Sequence, residues 1–163
     1  MGRILYVENE KEDIQRLAQQ MADCLCLPFQ ETENAEDFLG RCSVDTVHDY
    51  EMACMKVKHE IYELYILDYM LDMHENAFDL LHVIRHENPR AEIWILSHIS
   101  YMNESYVKSR GANRFFSKQK LAEMCEEILI HLRPKVQDEE SKKVIGEEKG
   151  GKAYIDTGVV LYI

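Results

Sequence analysis

The chain has 163 residues, 46% of them hydrophobic, which is enough for one ordinary domain with a tail and too little for two. A formal charge of −11 argues against nucleic acid as a direct partner, because phosphate backbones are met by clustered Lys and Arg. Five scattered cysteines without a CxxC pair, no leader pattern after Met1 and no apolar run of membrane-spanning length point to a reduced, cytoplasmic protein, without disulfide framework, zinc site or membrane partner.

Residues 3–7 read as a first strand, and the acidic run 8–13 leads into a helix whose Ile14, Leu17, Ala18, Met21 and Leu25 recur at helical spacing. In the next stretch Pro28-Phe29-Gln30 suits a strand and Asn34 suits the cap of a short helix over 35–39 that Gly40 ends; with the second strand placed later, about 28–41 becomes an insertion. The second strand falls at 42–46, since Tyr50, Ala53, Cys54 and Val57 form a helical stripe soon after it. A third strand at 61–68 carries the unbroken apolar run Tyr65, Ile66, Leu67 and stops at Asp68, the pattern of a strand buried on both faces that delivers a carboxylate to its tip. After a loop with Asp72, Glu75 and Asn76 comes a helix with Ala77, Leu80, Leu81 and Ile84 on one face, closed by Asn88-Pro89. The fourth strand, 91–97, again lacks polar alternation and ends in Ser97. A short helix over 101–109 ends at Gly111, with Tyr101 and Tyr106 as packing residues, and a fifth strand at 112–117 runs into Lys118. The last helix aligns Leu121, Met124, Cys125, Ile128, Leu129 and Leu132 until Pro134 stops it.

Five strands alternating with helices imply βαβ units, hence a doubly wound α/β fold with a parallel sheet and helices on both faces. Ligands in such sheets sit at the C-terminal ends of the strands, where Glu8, Asp68, Ser97 and Lys118 all fall.

The segments ILYVENE at 4–10, DTVHDYEMA at 45–53, ILDYML at 66–71, FDLLHVIR at 78–85, WILS at 94–97 and GANRFFSK at 111–118 together resemble the receiver domain of response regulators in two-component signalling. The resemblance implies a flavodoxin-like five-stranded sheet of order 2-1-3-4-5. It implies that Asp68 is the phosphoacceptor, attacking a phosphoryl group carried by a histidine kinase or phosphotransfer protein, with Ser97 and Lys118 contacting the phosphoryl oxygens. Phe115 takes the position of the switch aromatic. Mg2+ would be held by Glu8, Asn9, Asp68 and the main-chain carbonyl of Met70. The chemistry has a plain physical need: moving a phosphoryl group onto a carboxylate brings anions together, so the site must supply positive charge and an in-line geometry.

Some positions depart from the family pattern. Asn9 stands where a second acid is usual, which removes a charge and weakens Mg2+ binding; Glu10 reads as an ordinary acid near a helix N-terminus. His98 stands where a small residue is common, and Gln119 replaces a proline. Taken singly, Ser97 reads equally as a helix cap, Lys118 as a solvated lysine and Phe115 as a fixed core aromatic, while His82 and His86 suit an exposed helix face.

The expected organisation is a receiver over 1–134, a charged linker over 135–152 and an apolar tail over 153–163 that would form a hairpin around Asp156-Thr157-Gly158. About thirty residues after Pro134 are too few for an output domain, so readout is expected by protein contact, through the face of the 101–109 helix, the fifth strand and the last helix. The alternative is a pseudo-receiver of the same fold, with little or no phosphorylation, acting as a scaffold or as a homodimer through its tail. The chain is not expected to be an enzyme, beyond assisting its own phosphoryl transfer. A flavin-binding protein of similar topology is disfavoured, because ENEKED after the first strand would repel a phosphate.

Overall fold

The computed structural model of the chain describes residues 3–71, 75–99 and 101–131; Asp72, Leu132, Pro134, the expected linker and the expected tail lie outside them. In chain order the elements are β1 (Ile4–Val7), α1 (Lys11–Leu25), α2 (Ala35–Arg41), β2 (Val44–Val47), α3 (Tyr50–His59), β3 (Leu64–Asp68), α4 (Ala77–Glu87), β4 (Glu92–Ser97), α5 (Glu104–Ser109) and β5 (Arg114–Ser117). A single 3-10 turn, Lys118–Lys120, leads into the last helix, α6, which covers 121–131 of the described residues. The chain divides into two units of dense internal contact, at 126/127; of the second, residues 127–131 are described and helical.

All five strands pair in parallel in the order β2-β1-β3-β4-β5, as the doubly wound reading requires. The unbroken apolar runs are explained by cover on both faces. Leu5, Val7, Tyr65, Leu67, Ile93 and Ile95 point into one cluster with residues of α3, α4 and α5. Alternation sends Ile4, Tyr6, Leu64, Ile66, Trp94 and Leu96 to the other face, which is equally buried and where α1 supplies Ile14, Leu17, Ala18 and Met21. Each such aliphatic side chain contributes about 1.5–3 kcal/mol by leaving water.

Several boundaries move. Cys42 caps α2 and Ser43 turns with φ 67°, so the second strand starts at Val44, opposite Ile4, and not at Cys42. The insertion helix runs through Gly40 to Arg41, with Asn34 accepting from the amide of Asp37 as expected of a cap. Ile61 lies outside β3 and is 80% exposed, Leu25 falls at the exposed end of α1, and Tyr101 precedes α5 in solvent. Tyr106 does pack, edge-on to Phe78 at 5.8 Å. His82 and His86 lie on the exposed side of α4.

Two arginines fasten the N-terminal edge of the sheet. Arg3 pairs with Asp45 and with Glu60 at 2.7 Å, and its guanidinium lies over the Tyr62 ring. Arg85 of α4 donates to the carbonyls of Gly111, Pro89 and Ala91 and to Asn113 Oδ1, binding the starts of β4 and β5. Gly111 turns the chain into β5 with φ 104°, and a Cβ there would stand 3.1 Å from Leu81 Cδ2. Gly111→Ala is therefore expected to lower stability by about 1–3 kcal/mol, read as a fall in the urea midpoint; an unchanged midpoint would mean that the turn relaxes.

Candidate functional site

The strands deliver their terminal residues to one edge. β1 and β3 are neighbours in register, Val7 opposite Leu67, so Glu8 and Asp68 emerge side by side. β4 ends at Ser97 opposite Ser117, which puts Lys118 one residue beyond β5, and its long side chain reaches back across β4. The Lys118 ammonium lies 3.1 Å from Asp68 Oδ1, 2.9 Å from Glu8 Oε1 and 2.7 Å from Asp13 Oδ2. All four side chains are buried, Lys118 itself being 5% exposed. The solvated lysine that it resembles in isolation is thus excluded: a buried ammonium demands carboxylates, and three surround it.

Electrostatics follow from that packing. Burial pushes the Glu8 carboxyl up to about 8; the charge of Asp68 and a hydrogen bond between the two carboxyls add to the shift, while Lys118 pulls against it. Burial alone would lower the Lys118 ammonium, but the hydrogen bond to Asp13 and the charges of Glu8 and Asp68 outweigh it and hold it above its ordinary value. Below the pair, the Tyr6 hydroxyl donates to Glu8 Oε1 at 3.3 Å, and burial raises its pKa well above that of a free tyrosine.

The remaining expected residues line the same open cleft, of about 730 Å³: Asn9, Met70, Ser97 and His98 stand around Asp68 and Lys118. The Asn9 amide donates to the carbonyl of Leu71 at 3.2 Å, and Ser97 Oγ accepts from the amide of Ile99 at 3.0 Å. Phe115 is not among the lining residues. It packs, half-buried, against the cluster under α3–α5, while its neighbour Phe116 faces the other way onto Trp94. Among the described residues no three His, Cys, Asp or Glu side chains form a ready metal cluster. Of the residues that the resemblance implies for a metal, Asn9, Asp68 and Met70 line the cleft, whereas Glu8 is fully buried and is not among the lining residues; all four would offer oxygen donors, which suit Mg2+ better than a softer ion.

Sequence reasoning missed Asp13, Arg16 and Tyr6. Asp13 had a signal: at i−4 from Leu17 and i−8 from Met21 it lies in the buried stripe of α1, where a lone carboxylate needs a cation. It finds Lys118, Arg16 Nη1 at 2.6 Å and His98 Nε2 at 3.7 Å.

No protein-family model and no curated protein matches the chain. Solved structures do. A Francisella response-regulator receiver domain aligns with a TM-score of 0.60 at 16% identity, covering 83% of this chain and 99% of its own. TrrA, a response regulator from Thermotoga maritima solved with Mg2+ and beryllofluoride, gives 0.57 at 23% identity, covering 78% and 96%. The receiver domain of a Pseudomonas aeruginosa sensor histidine kinase, solved with a magnesium ion in its active-site cleft, gives 0.55 at 16%, covering 79% and 96%. The fold of this chain is that of the response-regulator receiver domains.

Proposed function

We propose that this chain, built on the receiver fold, is a phosphoacceptor signalling domain occupying residues 1–134, with Asp68 as its acceptor. The observation that carries the reading is the convergence of Lys118, Glu8 and Asp68 from three different strand ends onto one buried point, with Lys118 3.1 Å from Asp68. An Asp68 oxygen attacks the phosphorus of a phosphohistidine on a histidine kinase or phosphotransfer protein. The new O–P bond forms as the N–P bond breaks, and the imidazole leaves with its electron pair. Lys118 offsets the charge that builds on the phosphoryl oxygens, and the Ser97 hydroxyl donates to one of them. Glu8, Asp68, the Asn9 amide oxygen and the Met70 carbonyl would hold Mg2+, which when bound supplies the remaining positive charge. Its affinity is low, because Asn9 brings no charge. Output runs by protein contact at the face of α5, β5 and residues 121–126, with Phe115 beneath it responding to Ser97.

The test is phosphorylation by acetyl phosphate with Mg2+, followed by intact mass and by the emission of Trp94. The expected result is one phosphoryl group gained by the wild type and none by Asp68→Asn; a gain that survives the substitution removes Asp68 as the acceptor. The scaffold reading has one observation in its favour. The Asn9 amide donates to the Leu71 carbonyl and so ties the loops after β1 and β3 by a bond of their own. That reading expects no gain of mass even at high Mg2+.

A further inference from the structure

Lys118 donates hydrogen bonds to Asp13 Oδ2 at 2.7 Å and to Glu8 Oε2 at 3.2 Å, and forms an ion pair with Asp68 Oδ1 at 3.1 Å. A phosphoryl group on Asp68 draws the ammonium toward its own oxygens, so a carboxylate that holds it in the resting site has to slacken its grip. We infer that Asp13 is that group: a positioning residue on α1 that holds Lys118 in the resting site and yields it to the incoming phosphoryl oxygen. The inference deepens the phosphoacceptor reading and rests on it.

Asp13 is singled out by what each carboxyl would be left with. Glu8 is fully buried, and its other partners are the Tyr6 hydroxyl and the amide of Glu10, neither of them a cation. Asp68 is itself the acceptor and stays beside Lys118 as the phosphoryl group is added. Among the described residues Asp13 is the one of the three with a second cation in hand: its Oδ1 lies 2.6 Å from Arg16 Nη1, with His98 Nε2 at 3.7 Å, so it parts from Lys118 without becoming an unpaired buried charge. Its bond to Lys118 is also the shortest of the three, as expected of a well-aligned charge-assisted pair. Asp13 thus competes with the phosphoryl group for one cation, and Arg16 sets the balance by drawing Asp13 the other way.

The experiment uses the full chain with Mg2+ and titrates beryllofluoride, read by the emission of Trp94, the single tryptophan, on β4 three residues before Ser97. Asp13→Asn is expected to tighten beryllofluoride binding roughly tenfold, since it removes a competing charge beside a buried ammonium. Arg16→Met, at a half-exposed position that tolerates change, is expected to weaken binding several-fold, because Asp13 then holds Lys118 alone. In an Asp13→Asn background the Arg16→Met effect should vanish. A merely structural role for Asp13 would move both single variants the same way. Asp13→Asn binding no tighter than wild type overturns the inference, and so does an Arg16→Met effect that is equal in both backgrounds. If acetyl phosphate still adds mass at Asp68 in those same proteins, only the role of Asp13 has failed. Beryllofluoride binding that persists in Asp68→Asn instead overturns the phosphoacceptor reading beneath it.

Discussion

Lys118→Met is expected to destabilise the domain by about 3–5 kcal/mol at pH 7, a large share of the roughly 5–15 kcal/mol that holds a domain folded. Methionine fills much of the lysine's volume, so the loss comes from charge: Glu8, Asp13 and Asp68 remain packed together with no cation between them. The penalty should depend on conditions in a way that lost packing cannot. Protonation at lower pH relieves the unpaired negative charge, so the deficit shrinks as pH falls. Millimolar Mg2+ should also stabilise Lys118→Met more than the wild type, by replacing part of the missing charge. Urea denaturation at pH 7 and pH 4.5, with and without Mg2+, reads both effects. A deficit that is the same in all four conditions would assign Lys118 a packing role.

The second large effect is the pH dependence carried by Glu8. Its folded pKa is pushed up to about 8 from an ordinary 4.5, first by burial and then by Asp68. Between those values the folded state holds a proton that the unfolded chain has released. Stability is therefore full below about 4.5 and declines as pH rises toward 8, by up to about 1.4 kcal/mol per pH unit for one such proton. Glu8→Gln, a neutral mimic of the protonated acid, should flatten that decline, its urea midpoints at pH 5.5 and pH 8 lying closer together than those of the wild type. If the variant falls as steeply, another group carries the dependence.

What was legible beforehand was set by strand ends. Apolar runs that stop at Asp68, at Ser97 and just before Lys118, alternating with helical stripes, point to parallel strands buried on both faces, and such strands bring their tips to one edge. That argument places three side chains from distant parts of the chain in one site without any coordinates. It fails where two local readings compete. Asp13 passes for one more acid of the run 8–13, although its place in the buried stripe of the helix decides its role. The helical stripe of Tyr50, Ala53, Cys54 and Val57 locates the second strand only roughly, at 42–46, whereas a left-handed turn at Ser43 delays pairing until Val44. The third strand, expected from Ile61, begins to pair only at Leu64.

The two arginine clasps have a mechanical corollary. Arg3 gathers the beginnings of β1, β2 and β3, and Arg85 those of β4 and β5, through many bonds to main chain and side chains. At the opposite rim a single ammonium spans from β5 to β1 and β3. The strands stay paired to their tips, Asp68 opposite Leu96 and Ser97 opposite Ser117, so the sheet itself holds its spacing at that rim. Whatever draws the ammonium aside moves side chains and loops beside the acceptor carboxylate, and the displacement dies away toward the clasps.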